Sequence, residues 1–113
     1  MQLVLIIREP ATPQQIESML KTWDVFIKIA VDIERKILAG GGVRHYECEQ
    51  ELLKDGSRQR DIWGADWSPS TQELVFESII NIRPSQNNRS MIIQSTQIRQ
   101  QVSQITQQLL GGS

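Results

Sequence analysis

The spacing of hydrophobic residues changes several times along the chain, and each change predicts a new element. The continuous apolar run Leu3–Ile7 is typical of a strand covered on both faces. Thr12, Pro13 and Gln15 then supply an N-cap, a proline in the first turn and the reach-back residue of a capping box. Because apolar side chains recur at helical spacing, we predict an amphipathic helix from Pro13 to Trp23.

The segment that follows alternates with a period of two residues. The odd-numbered positions of 25–33 are all hydrophobic, whereas Lys28, Asp32 and Glu34 fall on the opposite face. Such alternation predicts a strand with one face in the core and one face carrying charged side chains. Any site built on this strand would therefore use its even-numbered positions.

A glycine run, Gly40–Gly42, marks the end of the alternating segment. Consecutive glycines permit positive φ angles and a tight reversal, so we predict that the strand continues to Leu38 and that a short return strand follows over 43–46. Acidic residues crowd the start of 47–55, and Gly56 can take the left-handed position after its end. This arrangement predicts a short helix.

The remaining part of the chain predicts one more strand and a final helix. The apolar segment Leu74–Ile82 is typical of a strand, Asn87 and Asn88 favour a turn, and Met91–Ile93 is expected to pair back. Hydrophobic residues at helical spacing between 98 and 109 predict an amphipathic helix whose polar face is rich in glutamine.

Together these elements predict an α+β fold. We expect a mixed, mainly antiparallel sheet of about four to six strands with two amphipathic helices and one short helix. The first and last helices should share one face of the sheet, and the short helix should lie near Leu52. Because 113 residues are enough to close one hydrophobic core, residues 1–113 are expected to form a single domain.

Charge and cysteine content narrow the classes of function. The formal net charge is -1, so no overall basic field attracts nucleic acid, and nucleic-acid binding is disfavoured. The single cysteine, Cys48, cannot form an internal disulfide, which favours a reducing compartment and predicts a cytoplasmic protein. The run Leu3–Ile7 is too short to span a bilayer and lacks the flanks of a secretion signal, so no membrane association is expected.

Several short motifs, taken in order, resemble a bacterial and often cyanobacterial family of small single-domain proteins. That family is known only as a domain of unknown function, so the resemblance implies no catalytic residues. It extends over nearly the whole chain. The motifs are Asp32-Ile33-Glu34, Gly40-Gly41-Gly42-Val43-Arg44-His45, Leu52-Leu53-Lys54-Asp55-Gly56-Ser57, Trp63-Gly64-Ala65-Asp66, Asn81-Ile82-Arg83-Pro84 and Asn88-Arg89-Ser90.

The central segment holds the candidates for catalysis. A reversal at the glycine run would bring His45 and Glu49 towards Asp32, and carboxylates beside a histidine suit a general base or a divalent cation. The alternative is that the chain from Glu47 onwards is helical, so that its acidic residues only line a helix N-terminus. His45-x-x-Cys48 offers two zinc ligands and the chain has no other His or Cys, so we predict neither a metal nor a cofactor.

Polar residues on either side of that segment are candidates for ligand binding. Asn81, Arg83 and Arg89 would bring amides and guanidinium groups onto one loop, where they suit a carboxylate or a phosphate. Lys28 and Asp66 would complete such a polar site. The alternative is an internal ion-pair network in which the arginines neutralise acidic residues.

The tryptophans of an irregular stretch lead to the main functional hypothesis. Exposed tryptophans anchor interfaces or stack on ligands, although filling the core is their commoner use. We therefore predict a non-enzymatic binding or assembly module, with a homo-oligomer or protein partner at the surface from Trp63 to Trp67. The alternative is a small metal- or acid/base-dependent enzyme of the hydrolase kind, with a polar site around His45, Asp32 and Arg83.

Overall fold

A computed structural model describes residues 4–112 of the chain. Leu3 of the predicted first strand lies outside the described residues. Within 4–112 the chain forms five strands and three α-helices, in the order β1 (Leu5–Ile7), α1 (Pro13–Leu20), β2 (Ile27–Asp32), β3 (Ile37–Gly40), α2 (His45–Lys54), β4 (Ile62–Ser68), β5 (Glu73–Val75) and α3 (Thr96–Leu110). The predicted α+β class is confirmed.

The five strands form one sheet in the order β1-β3-β2-β4-β5, and each pair of neighbours is antiparallel. Strand β2 lies at the centre, between β3 and β4. Its register on β4 places Lys28 opposite Asp66 at one end and Asp32 opposite Ile62 at the other. One end of the β2–β4 pair thus places two opposite charges side by side, whereas the other end places a carboxylate beside an apolar side chain.

Alternate residues of β2 face opposite layers of the protein. Ile27, Ile29 and Val31 pack in a core with residues of α1 and α3, whereas Ala30 belongs to a second core with residues of α2. The sheet therefore has α1 and α3 on one face and α2 on the other. The prediction that the first and last helices share a face is confirmed.

Local capping explains where two of the helices begin. In α1 the Thr12 hydroxyl accepts the backbone N–H of Gln15, whose side chain accepts the N–H of Thr12 in return. The helix ends at Leu20, earlier than the predicted Trp23. Helix α3 begins after Ser95, whose hydroxyl accepts the N–H of Ile98.

The predicted hairpin at the glycine run is wrong. Strand β2 ends at Asp32, because Asp32 Oδ1 accepts the backbone N–H groups of Glu34 and Arg35 and closes a turn into β3. The glycines instead lead into α2, where Glu47 Oε1 accepts the N–H groups of Val43 and Arg44. The segment after the glycines is therefore a helix, as in the alternative prediction, and not a return strand.

The predicted strand over 74–82 is confirmed only for β5. After Phe76 the chain pairs with the segment around Ile92, as predicted, through hydrogen bonds that include Ile93 N–H to Phe76 O. Residues 79–81 then form a short 3-10 helix against β4. Gly64 permits this contact, because a Cβ built there would lie 2.7 Å from the Cβ of Ser78.

Both tryptophans of β4 are buried, with Trp63 1% and Trp67 0% exposed. The predicted binding surface from Trp63 to Trp67 is therefore wrong. Alternation along β4 turns the two indoles into the core beneath α1 and α3, while Gly64 and Asp66 face the layer of α2. Neither indole is therefore available to a partner at the surface.

Candidate ligand-binding cleft

An open cleft of about 560 Å³ lies on the α2 side of the sheet, at the end of the β2–β4 pair where β2 begins. We call it the cleft. Its floor is polar and its wall is mainly apolar. The floor consists of Lys28, His45 and Asp66, and the wall consists of Tyr46, Ile79, Ile80 and Met91.

Strand register and a helix start bring the floor residues together. Lys28 and Asp66 are direct partners across β2 and β4, and alternation turns both towards α2. His45 is the first residue of α2 and lies over this pair. Its Nε2 is 2.8 Å from Asp66 Oδ1 and 3.0 Å from Ala65 O. Three residues distant in sequence thus form one polar group.

The neighbours of His45 fix which ring nitrogen carries a proton. The Ala65 carbonyl oxygen can only accept, so Nε2 must be the donor to both Ala65 O and Asp66 Oδ1. Neutral imidazole with a proton on Nε2 has its lone pair on Nδ1. The Asp66 carboxylate therefore accepts a hydrogen bond from His45 Nε2 and orients the imidazole ring.

Lys28 lies between the carboxylate and two aromatic rings. Its Nζ is 5.7 Å from the centroid of the Trp23 ring and 5.5 Å from that of Phe26, and the two rings stack with 11° between their planes. Asp66 Oδ1 is 3.9 Å from the ammonium. Among residues 4–112, no acceptor lies within hydrogen-bonding distance of Lys28 Nζ.

The wall presents apolar side chains to solvent. Ile79 is 74% exposed, Tyr46 57% and Met91 39%. Isolated exposed apolar residues are ordinary on protein surfaces, but here they converge on one concavity above a polar floor. That combination is characteristic of ligand sites.

Buried amides hold the wall in place. The Asn81 side chain accepts the N–H of Gly64 at 2.8 Å and donates to Gly64 O at 3.0 Å, which attaches the 3-10 helix to β4. Asn88 donates to the carbonyls of Asn81, Ser90 and Ile92. Asn81 and Asn88 are therefore buried groups with complete partners, and the wall exists before any ligand binds.

Arg83 and Glu49 form a closed pair away from the cleft. Arg83 donates to the carbonyls of Ile80, Gln59 and Ile62, and its Nη2 is 3.8 Å from Glu49 Oε2. Burial raises the pKa of the Glu49 carboxyl, and the adjacent guanidinium opposes that rise. Burial also lowers the pKa of Arg83. Both side chains are less than a tenth exposed, so the pair offers little to a ligand.

The other predicted residues do not join His45. Asp32 lies at the far end of β2, roughly 13 Å along the strand from Lys28, and one of its oxygens closes the turn after β2. Arg89 is exposed on a loop outside the cleft. The structure thus brings His45, Lys28 and Asp66 together, but it brings neither Asp32 nor Glu49 to them.

Metal and thiol chemistry receive no support from the geometry. Among the described residues, no group of three or more His, Cys, Asp or Glu side chains is arranged to hold a metal ion. Cys48 is buried in α2, and its thiol donates to Lys28 O at 3.4 Å. Burial raises its pKa to about 12, so the reactive thiolate is suppressed.

Sequence reasoning missed the apolar wall. Ile79 and Ile80 lie within a run that reads as a buried strand, and Tyr46 lies in a segment read as a return strand. Ser78 before Ile79 is the one local signal, because its hydroxyl accepts the N–H of Ile80 and starts the 3-10 turn.

The fold and the cleft define the chain as an α+β protein with helices on both faces of an antiparallel sheet and a preformed, partly apolar concavity. It belongs to the family described as protein of unknown function DUF5674, which matches residues 5–109. The resemblance to a domain of unknown function is therefore confirmed, whereas a bacterial origin stays a prediction. Comparisons with curated proteins and with solved structures gave no match. None of the helices in residues 4–112 is long and apolar enough to cross a membrane.

Proposed function

We propose that the protein is a non-enzymatic binding module and that its ligand occupies the cleft. The observation that carries this proposal is Ile79, which is 74% exposed although its segment is attached to β4 by the buried hydrogen bonds of Asn81 and lines a cleft with a polar floor. Complete burial of such a side chain contributes roughly 1.5–3 kcal/mol. A ligand that covers Ile79 and Met91 would gain this free energy without having to order the wall first.

The size and lining of the cleft support a small molecule. A volume of about 560 Å³ falls within the range of ordinary ligand sites. A homo-oligomer or a protein partner stays a prediction. Exposed apolar residues outside the cleft, such as Val75 and Ile82, are the surface that such a partner would cover.

Binding of a neutral fluorescent probe tests the proposal. Dansylamide should bind wild-type protein with increased emission, and Ile79→Ser should weaken the binding by about tenfold because the most exposed of the four apolar wall residues is lost. Ile82→Ser is the matched control, since Ile82 is also exposed in the same segment but does not line the cleft. Equal loss in both variants, or no binding to wild type, would contradict the proposal.

A second candidate is acid–base catalysis in the same cleft, which the hydrogen bond from His45 to Asp66 favours. A hydrolase would accelerate the hydrolysis of p-nitrophenyl acetate, and His45→Gln would remove the acceleration. A binding module would show the rate of buffer alone in both proteins. This comparison separates the two candidates with one assay.

A further inference from the structure

Among residues 4–112, Lys28 is the partly buried charged residue of the cleft whose side chain has no hydrogen-bond acceptor. Its side chain is only 22% exposed, yet the nearest carboxylate oxygen, Asp66 Oδ1, is 3.9 Å away. An ammonium has three N–H donors, and a partly buried donor without an acceptor is unfavourable. An acceptor supplied by a ligand would therefore be stabilised here more strongly than at an exposed lysine.

The charges near Lys28 favour a ligand with a single negative charge. Arg44 and Glu77, one charge of each sign, also line the cleft, but both are exposed, where water and salt screen them. Asp66 already accepts the His45 N–H on the oxygen that faces Lys28. The partly buried charge still open to a ligand is therefore the Lys28 ammonium, which would repel a cation and which matches one negative charge.

The stacked rings hold the ammonium in position. Trp23 and Phe26 lie at cation–π distance from the Lys28 Nζ, which restricts the directions in which the ammonium can move. The apolar wall of Ile79 and Met91 lines the same cleft. A fixed positive charge beside an apolar surface matches a molecule with one anionic end and one apolar end.

We infer that the cleft binds a small carboxylate joined to an apolar body, with the carboxylate on Lys28 and the apolar body against Ile79 and Met91. This inference rests on the proposed function and adds the chemical class of the ligand. A charge-assisted hydrogen bond to the ammonium supplies the preference for the acid. The wall supplies the part of the affinity that is independent of charge.

Calorimetric titration with naphthoate and with naphthamide tests the inference on wild-type protein. The two probes share the apolar ring and differ in charge. Naphthoate should bind about tenfold more tightly, because a charged hydrogen bond is worth more than a neutral one. Its advantage should shrink as salt is added, while the affinity for naphthamide stays constant.

Variants of Lys28 identify the source of the preference. Lys28→Met keeps the stem and removes the charge, so naphthoate should lose about tenfold in affinity while naphthamide is unchanged. Lys54→Met is the matched control, because Lys54 lies at the other end of α2 and does not line the cleft. Lys28→Arg keeps the charge and should retain a preference for naphthoate.

Each result of these titrations either supports or overturns the inference. Equal binding of both probes to wild type would overturn the inference and leave the proposed function standing. A preference for naphthoate that survives in Lys28→Met would also overturn it. If neither probe binds, the proposed function fails together with the inference. Should Lys28→Met not fold, a preference for naphthoate in wild type that does not shrink as salt is added would overturn the inference.

Discussion

The two ends of the β2–β4 strand pair use charged residues in opposite ways. At the end near Asp32, Arg83 and Glu49 are buried together, and the guanidinium also donates to three backbone carbonyls. At the end where β2 begins, Lys28 lies in an open cleft, and none of residues 4–112 offers its ammonium a hydrogen-bond acceptor. Removing one member of a buried pair is costly, whereas donors that have no acceptor within the protein can take one from a ligand.

The largest expected effect on stability comes from breaking the buried pair of Arg83 and Glu49. Arg83→Met should lower the free energy of unfolding by roughly 3–5 kcal/mol, because it leaves the Glu49 carboxylate buried without its counter-charge and removes the donor of three backbone carbonyls. Urea denaturation followed by far-ultraviolet circular dichroism measures the change. A loss below about 1 kcal/mol, the range of an exposed ion pair, would show that the end is not closed.

A smaller effect should follow from disturbing the wall of the cleft. Gly64→Ala places a methyl group against Ser78 and Ile80, so we expect a loss of roughly 1–3 kcal/mol in stability and severalfold weaker dansylamide binding. Undiminished probe binding in Gly64→Ala would mean that the position of the wall does not matter.

The pH dependence of stability also distinguishes the Glu49 end of the β2–β4 pair from the Lys28 end. Because burial raises the pKa of Glu49 in the folded protein, the folded state binds the proton more tightly than the unfolded state does. The contribution of Glu49 to stability therefore falls as pH rises from the ordinary glutamate pKa through the raised one. Glu49→Gln should remove that fall, by about 1.4 kcal/mol per unit of pKa shift. Parallel pH curves for the two proteins would contradict this.

The smallest change in stability is expected at the open end. Asp66→Asn keeps an oxygen that accepts the His45 N–H, so the free energy of unfolding should change by less than about 1 kcal/mol. Naphthoate should nevertheless bind severalfold more tightly, because the carboxylate nearest to Lys28 loses its negative charge. Weaker naphthoate binding in this variant would place the anion elsewhere.

Features that depend on local sequence could be predicted, whereas features that depend on contacts between distant segments could not. Strand alternation placed Lys28 and Asp32 on one face, and capping signals placed α1 correctly, because both patterns are local. The glycine run was misread, since a turn and a helix entry use glycine equally well. The convergence of Lys28, Asp66 and His45 depends on strand register and on a helix start, which no local pattern fixes.

A residue-resolved binding experiment tests most directly whether the cleft is the functional site. Amide NMR spectra of wild-type protein, titrated with naphthoate, report every backbone position at once. We expect shifts that saturate together at Lys28, Tyr46 and Ile79, with little change around Arg83. Shifts centred instead on the polar groove lined by Arg35 and other residues near Asp32, or no saturable shifts, would contradict the account.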